Sequence, residues 1–153
     1  MDPHFTLEPA AVRLAQVEDK TAAIRFLAEI CAESYGLDAA EVEARLLERE
    51  ELGSTGFGNG VALPHARIEG INRPIAALAR FDRPIDYDAA DGMPVNLACV
   101  LLSPANAGAT HLHALAALSR MMRDEHFREQ LAEAADAEVL YGLIANGQDR
   151  NAA

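Results

Sequence analysis

The stretch GSTGFGNGVALPHARIEG, residues 53–70, gathers the groups in this chain best suited to chemistry. Gly53, Gly56, Gly58 and Gly60 crowd eight positions, Ser54 and Thr55 add hydroxyls, and a short apolar run ends on Pro64-His65. Arg49 stands just upstream. Glycines expose backbone N–H groups and permit close approach of a ligand. Such a segment fits a phosphate cradle, a metal site, an ordinary loop, or phosphoryl transfer to the imidazole itself.

The nucleotide cradles fail on spacing. A dinucleotide fingerprint starting from Gly56 and Gly58 requires a third glycine where Val61 stands, and starting from Gly58 and Gly60 it requires one at Leu63. A phosphate loop needs a Lys-Ser or Lys-Thr pair, which does not follow. A metal site would rest on His65, His111 and His113. On a helix, however, residues 111 and 113 point apart, and no cysteine or acidic cluster accompanies them. A metal-binding histidine protein is therefore the remote alternative. The D-x-D-x-x-D run Asp86, Asp88 and Asp91 lacks the glycine and distant Glu of a calcium loop and reads as an acidic turn.

Neutral histidine is nucleophilic near pH 7, because its reference pKa is about 6.5. A phosphoacceptor histidine needs N–H donors and a cation, or a helix N-terminus, for the phosphoryl oxygens. This segment can supply them, with Arg49 as the cation. Arg49 also has a plainer role open to it, stabilising the carbonyls at a helix end. Ser54 and Thr55 are as suited to hydrogen bonds within the loop as to ligand contact, and the glycines to backbone conformation as to phosphate.

These residues need a scaffold, and the hydropathy pattern outlines one. Residues 11–17 read as a short strand. Asp19 is placed to cap a helix with the stripe Ala23, Leu27 and Ile30, stopped by Gly36. Asp38, with Glu41 three residues on, resembles a capping box before Val42, Leu46 and Leu47. VALP (61–64), PIAALARF (74–81) and VNLACVLLSP (95–104) read as strands, the last as a central buried one. The segment between the last two is rich in turn residues. Thr110 is expected to cap a helix from His111 to about Met122, and Asp124 and Asp136 to open two more. A single α/β domain over 1–147 results, followed by a disordered tail over 148–153.

The chain has 153 residues, half of them hydrophobic, which matches one globular domain. A formal charge of −11 argues against nucleic acid or an anionic membrane as main partner. The bases are 13 in number and all but Lys20 are arginine, which suits oxyanions. Cys31 and Cys99 lie in apolar stretches and read as buried free thiols. No run is long enough to span a bilayer and no leader is evident, so a cytoplasmic location is expected.

The segment LLEREELGSTGFGNGVALPHARIEG closely resembles the active-site signature of type-2 enzyme IIA domains of the bacterial phosphoenolpyruvate-dependent phosphotransferase system, the fructose/mannitol class. RPIDYDAADGMPVNLACVLLSP and THLHALAALSRMMRD match its later segments in order and spacing. The resemblance covers roughly residues 5 to 145 and is strongest to the stand-alone nitrogen-regulatory branch. It implies a mixed five-stranded sheet with helices on both faces and no metal or organic cofactor. It makes His65 the phosphoacceptor, fed by a histidine-containing phosphocarrier protein, with Arg49 on the phosphoryl group and His111 as second active-site histidine. Ser54, Thr55, Gly56, Gly58 and Gly60 would form the phosphate-binding loop. Phe57, Ala66 and Asn96 depart from the usual residues, none in a proposed role. The resemblance implies regulation of protein targets by phosphorylation state. The alternative is a sugar-specific enzyme IIA passing its phosphoryl group to a separate enzyme IIB.

Overall fold

In a computed structural model, which describes residues 4–152 and their side chains as far as 148, the pattern becomes one mixed sheet between two helical layers. The strands are β1 (Thr6–Ala15), β2 (Gly56–Gly58), β3 (Val61–Ala62), β4 (His65–Ile68), β5 (Ile75–Ile85) and β6 (Val95–Pro104). The helices are α1 (Lys20–Tyr35), α2 (Ala39–Glu51), α3 (Ala109–Arg123), α4 (Glu125–Glu133) and α5 (Ala137–Ala152). The sheet has six strands rather than five, because β2 and β3 form separate short pieces beside the glycine loop.

β6 is central. It pairs antiparallel with β5 and parallel with both β3 and β4, while β1 lies parallel to the far side of β5. Its period-2 alternation splits the core. Ala98, Val100 and Leu102 face α1 and α2, while Leu97, Cys99 and Leu101 face α3, α4 and α5. Leu101 and Leu102 are fully buried on opposite faces, and burying such a side chain contributes about 1.5–3 kcal/mol. Cys31 and Cys99 are buried free thiols, one on each side, and burial pushes both up to about 12.

The helix ends follow local chemistry. Asp19 accepts from the Ala22 N–H at 2.9 Å, and Gly36 closes α1 with φ of 69°. Asp38 accepts from Ala40 N–H at 3.0 Å. The return bond of a capping box does not form among the described residues; the Glu41 carboxylate instead lies 3.6 Å from Arg45, one turn on. Asp124 and Asp136 cap α4 and α5 through Phe127 and Val139 N–H.

Four expectations need correction. Thr110 does not cap α3: the N-cap is Gly108, with φ of 55° and no side-chain bond, so Thr110 sits inside the first turn. β1 begins at Thr6, whose N–H reaches Pro74 carbonyl at 2.9 Å, five residues before the alternating run. An irregularity between Leu7 and Val12, over the exposed Glu8–Ala10, hides that half of the strand from a periodicity reading. β5 continues through Asp82-Arg83-Pro84 to pair Ile85 with Val95, again across an irregularity. Finally, α5 passes the expected boundary at 147. Gln148 is 5% exposed and accepts the Phe5 N–H at 2.9 Å, and Ala153 lies outside the described residues.

Candidate active site

Three elements converge at the edge where β4 pairs with β6. β4 lies beside β6 with His65 opposite Leu101 and Arg67 opposite Ser103. Ala66 and Ile68 pack toward α1 and α2, so alternation sends His65 and Arg67 to the α3 face. There the first turn of α3 presents His111. The last turn of α2 brings Arg49 around the open edge of β4.

The bonding of His65 fixes its tautomer. Nδ1 lies 2.8 Å from the Leu63 carbonyl, which can only accept, so Nδ1 carries the proton. Nε2 is left with its lone pair, and the Arg49 Nε–H donates to it at 3.3 Å. Arg49 is anchored by Nη1, which donates to the Gly53 carbonyl at 2.9 Å. The ring of His111 sits 5.7 Å from that of His65, tilted by 43°. His111 is 5% exposed, and its Nδ1 lies 2.7 Å from the fully buried Ser103 hydroxyl. Burial lowers both histidines from the ordinary 6.5. For His65 the Leu63 carbonyl opposes this, while Arg49 adds to it. For His111, Arg67 and His65 add to burial, and it falls to about 4. Both rings are therefore neutral at pH 7.

The three residues open into a cavity of about 750 Å³, lined also by Arg45, Arg67, Glu48 and Leu52. Arg45 is committed to Glu48 at 2.7 Å. Leu52 and Leu112, 84% and 60% exposed, stand on its rim.

Ser54, Thr55, Gly56, Gly58 and Gly60 do not line this cavity. Ser54 donates to the Tyr87 carbonyl at 3.2 Å and accepts from Gly56 N–H. Thr55 is buried; its hydroxyl and N–H both bond the Glu50 carboxylate. A Cβ on Gly56 would lie 2.6 Å from the Ala89 backbone, so glycine there answers to packing. Gly58, at φ of 106°, answers to backbone conformation. The loop is tied instead to the acidic turn, where Asp91 accepts from Asn59 and Met93 N–H. Asp86 accepts from Asp88 N–H in the same turn.

Sequence reasoning passed over a second constellation behind the loop. Glu50 accepts from Lys20 Nζ at 2.8 Å, from Tyr87 hydroxyl at 3.3 Å and from Thr55, with its side chain only 6% exposed. Lys20 also lies 4.8 Å from the centre of the Tyr87 ring. Burial drives the Tyr87 hydroxyl well above its ordinary range. The signal was present in the chain's single lysine and in an acid adjoining Arg49, but their distance in sequence concealed it. Ser103, a hydroxyl within an apolar strand, is the other omission. Among the described residues no group of three His, Cys, Asp or Glu could hold a metal ion, and no helix is long and apolar enough to cross a membrane.

The profile of the family described as "Phosphoenolpyruvate-dependent sugar phosphotransferase system, EIIA 2" matches residues 6–147. A nitrogen regulatory protein of Bradyrhizobium diazoefficiens is 41% identical over 130 residues, 85% of each chain. A fructose-specific EIIA component from Haloferax volcanii is 37% identical over 127 residues, 82% of each. The crystal structure of nitrogen regulatory protein IIA-Ntr from Neisseria meningitidis superposes with a TM-score of 0.83 at 35% identity, covering 90% of this chain and 95% of that one. The chain belongs to the EIIA type-2 family of the phosphoenolpyruvate-dependent phosphotransferase system and is a component of that machinery.

Proposed function

We propose that Nε2 of His65 accepts a phosphoryl group from a histidine-containing phosphocarrier protein in the cytoplasm, and that the resulting state regulates other proteins. The observation that carries this is the Leu63 carbonyl on Nδ1, which leaves the Nε2 lone pair facing the cavity. In the transfer, that lone pair attacks the phosphorus of the donor's phosphohistidine. The new N–P bond forms as the old one breaks, and its electron pair returns to the donor imidazole. Arg49 exchanges its 3.3 Å bond to Nε2 for one to a phosphoryl oxygen, a contact that strengthens as charge develops. When Ser103 donates to Nδ1 of His111, that ring carries its proton on Nε2 and offers the phosphoryl group a neutral donor. The exposed Leu52 and Leu112 give the carrier an apolar seat beside the cavity.

The regulatory role is supported by the 41% identity to a nitrogen regulatory protein. A second reading, transfer to a separate sugar-specific enzyme IIB, is favoured by the 37% identity to the fructose-specific component. Incubation with phosphoenolpyruvate, the system's first enzyme and the phosphocarrier should give an acid-labile, alkali-stable label that is lost in His65→Ala. Equal labelling of the variant would overturn the assignment. Adding a fructose enzyme IIB to the isolated phosphoprotein separates the two roles: retention of the label supports regulation, and rapid transfer supports sugar uptake.

A further inference from the structure

Arg67 occupies a position the proposed mechanism does not yet use. It lies two residues from His65 on the same face of β4 and lines the same cavity as His65 and His111. Its cross-strand partner is Ser103, the residue that holds His111. Its guanidinium forms no hydrogen bond or ion pair with any described residue, in contrast to that of Arg45, which is spent on Glu48 and Glu41. Its charge is nonetheless felt by both imidazoles, disfavouring protonation of each.

A phosphoryl group on His65 brings close to two negative charges into a half-buried site. Arg49 balances one, and its Nη1 is already engaged by Gly53. Among the described residues of the cavity, Arg67 is the remaining cation without a carboxylate partner. We propose that Arg67 is a second phosphoryl-binding residue, closing on the equatorial oxygens from within the cavity it shares with Arg49. The inference rests on the reading of His65 as acceptor. Two guanidinium groups on the phosphoryl oxygens would stabilise the transfer and lengthen the life of the N–P bond. Hydrolysis of a phosphohistidine proceeds through the protonated ring, and a neighbouring cation disfavours that protonation.

The test uses the whole chain as wild type, Arg67→Ala and Arg67→Lys. Arg67 is exposed, so the fold is retained. Three quantities are read: the transfer rate from the phosphocarrier, the lifetime of the isolated phosphoprotein, and the imidazole titrations of the unphosphorylated protein by proton NMR. In Arg67→Ala transfer should slow about tenfold, the lifetime should shorten several-fold, and the His65 and His111 titrations should both move up. Arg67→Lys, which keeps the charge but not the fork, should recover the titrations and most of the lifetime. A slower transfer with unchanged lifetime and titrations would overturn the proposal, because it would assign Arg67 to partner docking. Wild-type lifetime and rate in Arg67→Ala would overturn it too. If wild type is not labelled on His65 at all, the acceptor reading falls and this inference falls with it. Labelling of wild type and equal behaviour of Arg67→Ala removes only the Arg67 role.

Discussion

Arg49 and Glu50 are neighbours in the last turn of α2, yet they serve opposite environments. Arg49 reaches into an open cavity, where its Nε–H donates to a ring nitrogen at 3.3 Å and its Nη1 to the Gly53 carbonyl at 2.9 Å. Glu50 turns inward, almost wholly buried, and is held by Lys20, Thr55 and Tyr87. One helix end thus carries a cation facing the cavity and an acid fixed in the interior. The fixed acid joins the start of α1 to the end of α2 and to the glycine loop, so the strand that follows delivers His65 to a set position. In this site rigidity and reactivity are divided between adjacent residues.

That division is most severely tested at the buried acid. Glu50→Ala leaves Lys20, Thr55 and Tyr87 without their shared acceptor. Breaking such a pair costs on the order of 3 kcal/mol, equivalent to a fall of roughly 6–12 °C in melting temperature for a chain of this size. Calorimetry of the variant checks this; a melting point within a degree of wild type would mean that Glu50 does not hold the site together. Arg49→Ala should do the reverse, slowing transfer by about tenfold or more, some 1.4 kcal/mol, with melting barely changed. Stopped mixing with the phosphorylated carrier reads the rate, and a stability loss with normal transfer would return Arg49 to a helix-end role.

A smaller effect concerns pH. His111 is held near 4 in the fold against an ordinary 6.5, so the unfolded chain binds its proton first as pH falls. The stability this ring contributes is complete above about pH 6.5 and is lost as pH falls toward about 4. Urea unfolding across that window should show wild type losing more stability than His111→Gln. Parallel curves would mean that His111 titrates normally.

Much of this scaffold was legible because local signals and tertiary packing agree. Asp19 and Gly36 bound α1 by side-chain acceptance and left-handed backbone, which a sequence displays directly. β6 was legible end to end because burial on both faces leaves an unbroken apolar run. The helix start before His111 was read wrongly because Thr110 is a good cap by type, while the fold uses the positive φ of Gly108. The gathering of Arg49, His65 and His111 was legible only through the family signature, since no spacing joins residue 65 to 111. The Glu50 hub and Arg67 stayed hidden for a related reason. A charged residue beside a glycine loop looks like a solvated surface until the sheet register shows what it faces.

With the Nδ1 proton held by Leu63, the nitrogen of His65 expected to take the phosphoryl group is Nε2. Phosphorus-nitrogen coupling in the NMR spectrum of ¹⁵N-labelled, phosphorylated protein reads the bonded atom itself. A one-bond coupling to Nε2 of His65 is expected, with the Leu63-bonded Nδ1 still protonated. A phosphoryl group on Nδ1 of His65, or on either nitrogen of His111, would contradict it.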